Sequence, residues 1–149
     1  MKHLSLLALA LFAVAIPAHA AAPPGWTDDY AKAVEQAKTE NKKLLLDFTG
    51  SDWCGFCKLL DKEVFGTAKF KDWAKQNVVL VEVDFPRKKQ LTHKLQAQNA
   101  DLKSKYPFNG YPTIVILDGD GKELGRKTGY QPGSGVDAYL AELDGVLKK

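Results

Sequence analysis

Cysteine, histidine and methionine are scarce in this chain of 149 residues, which has two, three and one of them. A structural zinc site takes four Cys or His ligands at short spacings. His93 is the only histidine after residue 20. Carboxylates could complete a site, but none stands at a telling distance from the cysteines. We therefore expect no metal.

A continuous apolar run long enough to cross a membrane is also missing. Residues 4–16 are apolar apart from Ser5 and follow a short basic start. As a helix they would span about 20 Å, which is too short for a hydrocarbon core of about 30 Å. Residues 17–20 end in a small-x-small pattern. This predicts a signal peptide over residues 1–20, cleaved after Ala20 or, as the weaker alternative, after Ala22. We expect a periplasmic or secreted protein with no stable membrane insertion after cleavage.

A strong excess of charge of one sign is absent as well. The formal net charge is +3, from 21 Lys and Arg against 18 Asp and Glu, and loss of Lys2 with the signal peptide leaves +2. Such a balance does not favour nucleic-acid binding or membrane-surface binding. We also find no internal repeat and no Ser/Gly-rich linker. One domain over residues 21–149, present as a monomer, is the expectation.

Hydrophobic periodicity predicts four helical regions. The first carries Trp26, Tyr30, Ala33, Val34 and Ala37 on one face, with Thr27 or Asp28 as its cap. The second begins at the cysteines, is interrupted at Gly66 and continues in a short piece containing Phe70 and Trp73. The third runs from about residue 89 to 105 with Leu91, Leu95, Leu102 and Tyr106 on one face, and the last carries Val136, Leu140, Leu143 and Leu147.

Three apolar runs, at residues 44–48, 78–83 and 113–117, are typical of strands, and a fourth strand is expected at residues 123–128. The run at 78–83 is β-branched and nearly continuous, which predicts a central strand buried on both faces. Residues 118–121 form a turn between the last two strands. The order α-β-α-β-α-β-β-α indicates an α/β layer fold whose sheet ends in an antiparallel hairpin.

Both cysteines lie in SDWCGFCK, residues 51–58. A disulfide closing so short a loop stabilises a protein by only about 2 kcal/mol, against about 3 for a fifteen-residue loop. Redox chemistry has more support, because Cys54 falls between a strand and a helix. Free N–H groups and the helix dipole favour a thiolate there. Cys57 lies one turn later, where it can attack a mixed disulfide at Cys54. The structural and metal alternatives remain open but weaker.

The segments LLLDF, WCGFC, VEVD, GYPT and IVILDGDGKEL together resemble the thioredoxin-like family over nearly all of the mature chain. TGSDWCGFCK and VDFPRKK are similar to small exported bacterial proteins with that fold. The resemblance implies an α/β thioredoxin fold with a central mixed sheet flanked by helices. An extra N-terminal helix and a lengthened helical segment before a cis-proline would be added to it. The implied activity is protein thiol–disulfide exchange with no cofactor beyond a redox-active Cys54–Cys57 disulfide.

The resemblance also assigns roles to single residues. Cys54 matches the exposed nucleophilic cysteine, and Cys57 matches the buried resolving one. Asp47 matches a buried acid that moves a proton to and from the resolving cysteine; a strand-end acid reaching water is the alternative. An unpaired carboxylate in an apolar strand would have a raised pKa, which suits such an exchange.

The substrate-binding residues expected from the resemblance flank the cysteines. Trp53 matches the tryptophan beside the site, and Pro112 matches the cis-proline that turns the backbone at Tyr111 towards a bound chain. Phe56 offers an apolar surface to a substrate. An ordinary proline at the start of a strand is the alternative for Pro112.

Three departures from compact members of the family stand out. One extra residue separates Asp47 from Cys54, and Leu80 replaces the lysine that compact members carry near the buried acid. The chain between Phe85 and Tyr111 is longer. Its cations are Arg87, Lys88, Lys89, His93, Lys94, Lys103 and Lys105, against Asp101 alone. This basic segment (residues 86–105) is either a solvated helix face or a docking surface for an acidic partner.

The dipeptide Gly55-Phe56 between the cysteines bears on the direction of electron flow. Reducing relatives typically carry Gly-Pro at this place, and strongly oxidising relatives carry a dipeptide with a histidine. Gly55-Phe56 matches neither and is most similar to the Gly-Tyr dipeptide of exported isomerases. Phe56 supplies no charge to hold a thiolate. We expect a reductase that acts on disulfides or thiols of exported proteins and is re-reduced by a membrane donor. A disulfide oxidase or isomerase, or a binding module with a purely structural disulfide, is the alternative.

Overall fold

The computed structural model describes residues 22–148; the predicted signal peptide at residues 1–20 lies outside them. The strands are β1 (Trp26–Thr27), β2 (Lys43–Thr49), β3 (Val78–Asp84), β4 (Thr113–Leu117) and β5 (Glu123–Thr128). The helices are α1 (Tyr30–Glu40), α2 (Gly55–Leu60), α3 (Ala68–Asn77), α4 (His93–Lys105) and α5 (Gly135–Leu147). A π-helical turn at Asp61–Phe65 follows α2 without a break. Among residues 22–148, no helix combines the length and the hydropathy needed to cross a bilayer.

The strands form one mixed sheet in the order β1-β3-β2-β4-β5. β2 runs parallel to β3 and antiparallel to β4, and β4 pairs with β5 as the predicted hairpin. β2 therefore lies in the middle of the sheet, and β3 lies between it and the short β1. Both are almost wholly buried, which explains their nearly continuous apolar sequences. The predicted mixed sheet flanked by helices is confirmed.

Helices cover both faces of the sheet. Successive side chains of a strand point to opposite faces. Leu44, Leu46 and Phe48 join one core cluster, which includes residues of α1 and α4. Leu45 belongs to the other cluster, which α2, the π-helical turn, α3 and α5 complete. Asp47, two residues beyond Leu45, points to the same face and is thereby directed beneath the cysteine-bearing helix.

The start of the described chain differs from its prediction. The extra helix α1 is present, but Trp26 lies in β1, where it pairs with Leu80. The helical spacing of Trp26 was therefore misleading, because the edge of β3 draws this residue into the sheet. Asp29, rather than Thr27 or Asp28, is the N-cap, and its side chain accepts a backbone N–H of the first turn at 3.2 Å.

The helix before the cis-proline is shorter than predicted. α4 begins at His93, after Thr92 caps it by accepting the N–H of Leu95 at 3.3 Å. Residues 89–92 are not helical, so the expected start near residue 89 is wrong, and Leu91 lies outside the helix. Leu95 and Leu102 are buried as expected. A good N-cap residue outweighs a continuing apolar pattern here.

Candidate active site

The two cysteines form a disulfide at the start of α2, with their Cα atoms 5.3 Å apart. Cys54 is the N-cap of this helix, and its Sγ accepts the N–H of Cys57 at 3.2 Å. This is the predicted position between a strand and a helix. The backbone N–H groups there stabilise negative charge that develops on the Cys54 sulfur.

The two cysteines are almost equally buried. Cys54 is 6% exposed and Cys57 is 5% exposed. The structure thus does not show the exposed Cys54 that the resemblance implied for the nucleophile. In the disulfide form, the bond holds both sulfurs over the first turn of α2. What distinguishes the cysteines is their surroundings, since Cys57 lines the acidic cavity described below.

Trp53 and Tyr111 join the cysteine segment to the proline segment. Their rings make an edge contact with centroids 5.3 Å apart. The Tyr111–Pro112 peptide bond is cis, which confirms that prediction. Phe56 is 54% exposed, the most exposed large hydrophobic side chain within residues 22–148. An apolar surface beside Cys54 is therefore available to another molecule.

Gly50 is a site residue that the sequence analysis missed. A Cβ at this position would lie 2.6 Å from Nε1 of Trp53, closer than packed atoms approach. The same Nε1 donates a hydrogen bond to the carbonyl oxygen of Phe85 at 2.8 Å. Gly50 thus leaves the space in which the indole ring is held beside the disulfide. A glycine at the end of a buried strand was the available signal, because glycine there often marks a close approach.

Asp52 anchors the beginning of the basic segment to the cysteine segment. Its carboxylate accepts the backbone N–H groups of Arg87, Lys88 and Lys89 at 3.0, 2.7 and 3.0 Å. These hydrogen bonds, that of Arg87 first, lower the pKa of Asp52 to about 2. The anchor explains how the longer loop is held against the site.

Two cations of the basic segment lie on the aromatic rings of the site. The Arg87 guanidinium is 4.1 Å from the centre of the Trp53 ring. Lys103 lies 5.7 Å from the Tyr111 ring centre and about as close to two phenylalanine rings. Such cation–π contacts need close approach over a ring face. The segment is therefore more than a solvated helix face where it meets the site, which its sequence did not reveal.

Asp47 is buried beneath the disulfide with 8% of its surface exposed, so the alternative of a strand-end acid reaching water is wrong. Its Oδ1 has no hydrogen-bond partner. Burial, and then the negative charges of Glu82, Asp61 and Asp84, raise the pKa of Asp47 well above its usual value. Leu80, at the place of the family's lysine, is buried and brings no cation. The raised pKa favours the protonated form of the Asp47 carboxyl.

A cavity of about 270 Å³ connects Asp47 with the inner cysteine. We call it the acidic cavity, because five carboxylate side chains line it together with Cys57: Asp28, Asp47, Asp61, Glu82 and Asp84. Asp84 is tied to Ser51, whose N–H and hydroxyl donate to it at 2.9 and 2.5 Å. Within residues 22–148, no group of three or more His, Cys, Asp or Glu side chains is arranged to hold a metal ion. Asp47 and Cys57 thus line the same cavity.

Comparison with known proteins bears on the identity of this site. Residues 30–144 match the model of a family described as a thioredoxin-like domain. The chain is 38% identical to the disulfide bond reductase DsbH of Chlamydia pneumoniae over 129 residues, which cover 87% of this chain and 76% of that protein. It is 34% identical to the thiol:disulfide interchange protein DsbD of Campylobacter jejuni over 107 residues, 68% of this chain but 17% of that protein. A solved structure named DsbH Oxidoreductase superposes with a TM-score of 0.76 at 34% identity, covering 95% of this chain and 94% of that one.

The fold and the cysteine pair at the start of α2 define a thiol–disulfide oxidoreductase. With the family model matched over most of its length, the chain belongs to the thioredoxin-like family. The resemblance noted from its sequence segments is thereby confirmed.

Proposed function

We propose that this protein is exported and reduces disulfides in other exported proteins. The observation that carries the proposal is the Cys54–Cys57 disulfide at the N-terminus of α2, next to the exposed Phe56. The reducing direction is supported by the relative named a disulfide bond reductase. It is also supported by Gly55-Phe56, which places no cationic side chain between the cysteines to stabilise a thiolate.

The proposed roles of the two cysteines are supported by their positions at the start of α2 and by the cavity that Cys57 lines. In the reduced protein, the Cys54 thiolate attacks a substrate disulfide in line and forms a mixed disulfide. Cys57 then displaces the substrate and closes the Cys54–Cys57 bond. Asp47 takes the proton that Cys57 loses, since both line the acidic cavity. Trp53, Phe56 and the cis Tyr111–Pro112 segment provide the surface on which the substrate chain lies.

Export and re-reduction complete the proposal. The basic start, apolar run and small-x-small end of residues 1–20 are typical of a cleaved signal peptide. A membrane electron donor would then restore the dithiol, and the relative named a thiol:disulfide interchange protein supports such a partner class. We propose that the mature protein works as a monomer in the periplasm or outside the cell, without nucleic acid.

The reduction potential tests the direction of electron flow. We expect equilibration of the mature protein in glutathione buffers to give a value near −270 mV, in the range of reducing family members. A potential near −120 mV would contradict the proposal and favour the oxidase alternative. The Cys54→Ser variant is the control for the assay, and it should not reduce insulin disulfides. Activity that survives in this variant would show that the nucleophile is wrongly assigned.

A further inference from the structure

Glu82 is the carboxylate nearest in register to Asp47. The two residues are Cα partners on the parallel strands β2 and β3, and neighbouring strands lie about 4.8 Å apart. Both side chains line the acidic cavity. Glu82 is only partly buried, whereas Asp47 is almost completely enclosed. Of these two residues, Glu82 therefore has the greater access to water.

Asp47 needs such a neighbour if it is to exchange protons. No hydrogen-bond partner reaches its Oδ1, and its burial keeps bulk water away. The cavity that it shares with Cys57 has a volume of about 270 Å³. Since one water occupies roughly 30 Å³ in the liquid, several waters fit beside these polar groups.

We propose that Glu82 is a positioning residue that relays the proton between Asp47 and solvent through the acidic cavity. The relay rests on the proposed exchange chemistry of Cys54 and Cys57. It assigns to a glutamate on β3 a role in keeping Asp47 in the correct protonation state for each half of the cycle. In this proposal Glu82 acts only through Asp47.

The proton and the electrons balance in the resolving step. Cys57 gives its S–H proton to the Asp47 carboxylate and attacks Sγ of Cys54. The bond between Cys54 and the substrate sulfur breaks, and the substrate sulfur leaves with the electron pair as a thiolate, which water protonates. The proton on Asp47 then passes through cavity water to Glu82 and out. Reduction of the disulfide by a dithiol donor runs the same path inwards, because Cys57 leaves as a thiolate and takes a proton from Asp47.

The charges around the pair suit this exchange. Burial, and then the negative charge of Asp84, raise the pKa of Glu82 to about 7, against the opposing charge of Lys89. Asp28 and Asp61 raise it further. A carboxyl that is half protonated near neutral pH can both accept and return a proton.

Lys58 of α2 and Lys89 also line the acidic cavity, whereas the charged groups that shift the pKa of Asp47 are all acidic. Asp61 faces it from the π-helical turn and Asp84 from β3. Burial, and then the negative charge of Asp47, raise the pKa of the Tyr139 hydroxyl on α5. It is buried without a hydrogen-bond partner. No cation is among the groups that shift the pKa of Asp47, so burial and then this set of carboxylates govern its protonation.

The test compares the resolving step in variants across pH 5–9, using single-turnover reduction of insulin by the full mature protein. Glu82→Gln should slow the reaction about tenfold at pH 7 and change the shape of its pH profile. Glu82→Asp, which keeps the carboxyl, should recover most of the rate. In an Asp47→Asn background, Glu82→Gln should cause no further loss, because the relay acts through Asp47. Glu35→Gln, which removes an exposed carboxylate of α1, is the matched control and should behave as the wild type.

Carboxyl NMR titration of the oxidised wild type provides a second readout that needs neither activity nor a variant. Asp47 and Glu82 should each show an inflection at the titration of the other. Independent titration, or a Glu82→Gln variant with the wild-type rate and pH profile, would overturn the relay and leave the exchange chemistry intact. If the wild type itself exchanges no disulfides, the proposed function fails instead.

Discussion

Asp47 is the residue at which function conflicts most directly with stability. A carboxyl that is buried among other carboxylates and lacks a partner costs free energy when it ionises. Burial and the neighbouring negative charges raise the pKa of Asp47, so the fold favours its protonated form. An apolar residue would pack there without this cost, since Leu45 and Ile114 beside it belong to the same core. The acid is therefore best understood as a functional group that the fold tolerates.

We predict that Asp47→Asn stabilises the oxidised protein in a pH-dependent way. Well below pH 4 the carboxyl is neutral in both the folded and the unfolded wild type, so the stability difference between wild type and variant does not change with pH there. As pH rises further, the unfolded carboxyl ionises while the folded one stays protonated. The wild type then loses up to about 1.4 kcal/mol per pH unit relative to the variant, until pH passes the folded pKa. Urea unfolding from pH 4 to 9 measures this difference.

A constant difference between Asp47→Asn and wild type across this range would contradict the raised pKa. Asp120→Asn, which changes an exposed aspartate at the β4–β5 turn, is the control. It should follow the wild-type curve.

At the scale of elements, α5 is fitted to the sheet through a close approach at Gly125. This residue lies on β5, where the β4–β5 register is irregular. A Cβ there would be 2.8 Å from a methyl carbon of Val146 on α5. This close approach allows α5 to pack tightly against the β4–β5 hairpin. Tyr139 of α5 then lies in the core cluster on the active-site side of the sheet.

Gly125→Ala should therefore destabilise the protein by about 1–3 kcal/mol, because the added methyl group overpacks the contact with Val146. Thermal unfolding followed by circular dichroism measures the loss. Adding Val146→Ala should recover part of it by making room for the methyl group.

Gly145→Ala is the matched control on α5, since nothing lies within 4 Å of a Cβ at that position. It should be neutral or stabilise the helix by up to about 1 kcal/mol. A Gly125→Ala protein that unfolds at the wild-type temperature would show that α5 does not depend on this approach.

At the scale of the whole molecule, the two core layers supply most of the stability of the fold, and the disulfide contributes little to it. The clusters on the two faces of the sheet together draw on all five helices. The disulfide joins residues only three positions apart. A redox protein must remain folded in both its oxidised and its reduced state. Because the core clusters and not the disulfide provide most of the stabilising contacts, reduction leaves the fold intact.

Reduction should lower the free energy of unfolding by no more than about 2 kcal/mol. The melting temperature would then fall by roughly 8 °C, taking about 4 °C per kcal/mol for a domain of this size. Near-UV circular dichroism during heating, with and without dithiothreitol, measures both the shift and the cooperativity. A Cys54→Ser/Cys57→Ser variant should match the reduced wild type. Loss of cooperative unfolding on reduction would support the alternative of a binding module with a structural disulfide.

The sequence by itself determined those features that depend on a short stretch of chain or on a repeating apolar pattern. Strand and helix patterns predicted the main elements, since periodicity reflects which face each element buries. The spacing of Cys54 and Cys57, the helix that follows them and the segment at Pro112 indicated the site, because each is a short stretch with its own backbone requirement.

Tertiary structure decided which distant residues meet. Glu82 faces Asp47 only because β2 and β3 pair in one particular register; a shift of one residue would turn Glu82 to the other face. Asp52 receives the N–H groups at 87–89 only once the loop after β3 folds back over the cysteine segment. Trp26 lies in β1 and not in the expected helix for a similar tertiary reason, because the edge of β3 provides a strand with which it can pair. Contacts between residues more than 30 positions apart depend on how the strands of the sheet pair and pack. A short stretch of sequence does not contain that information.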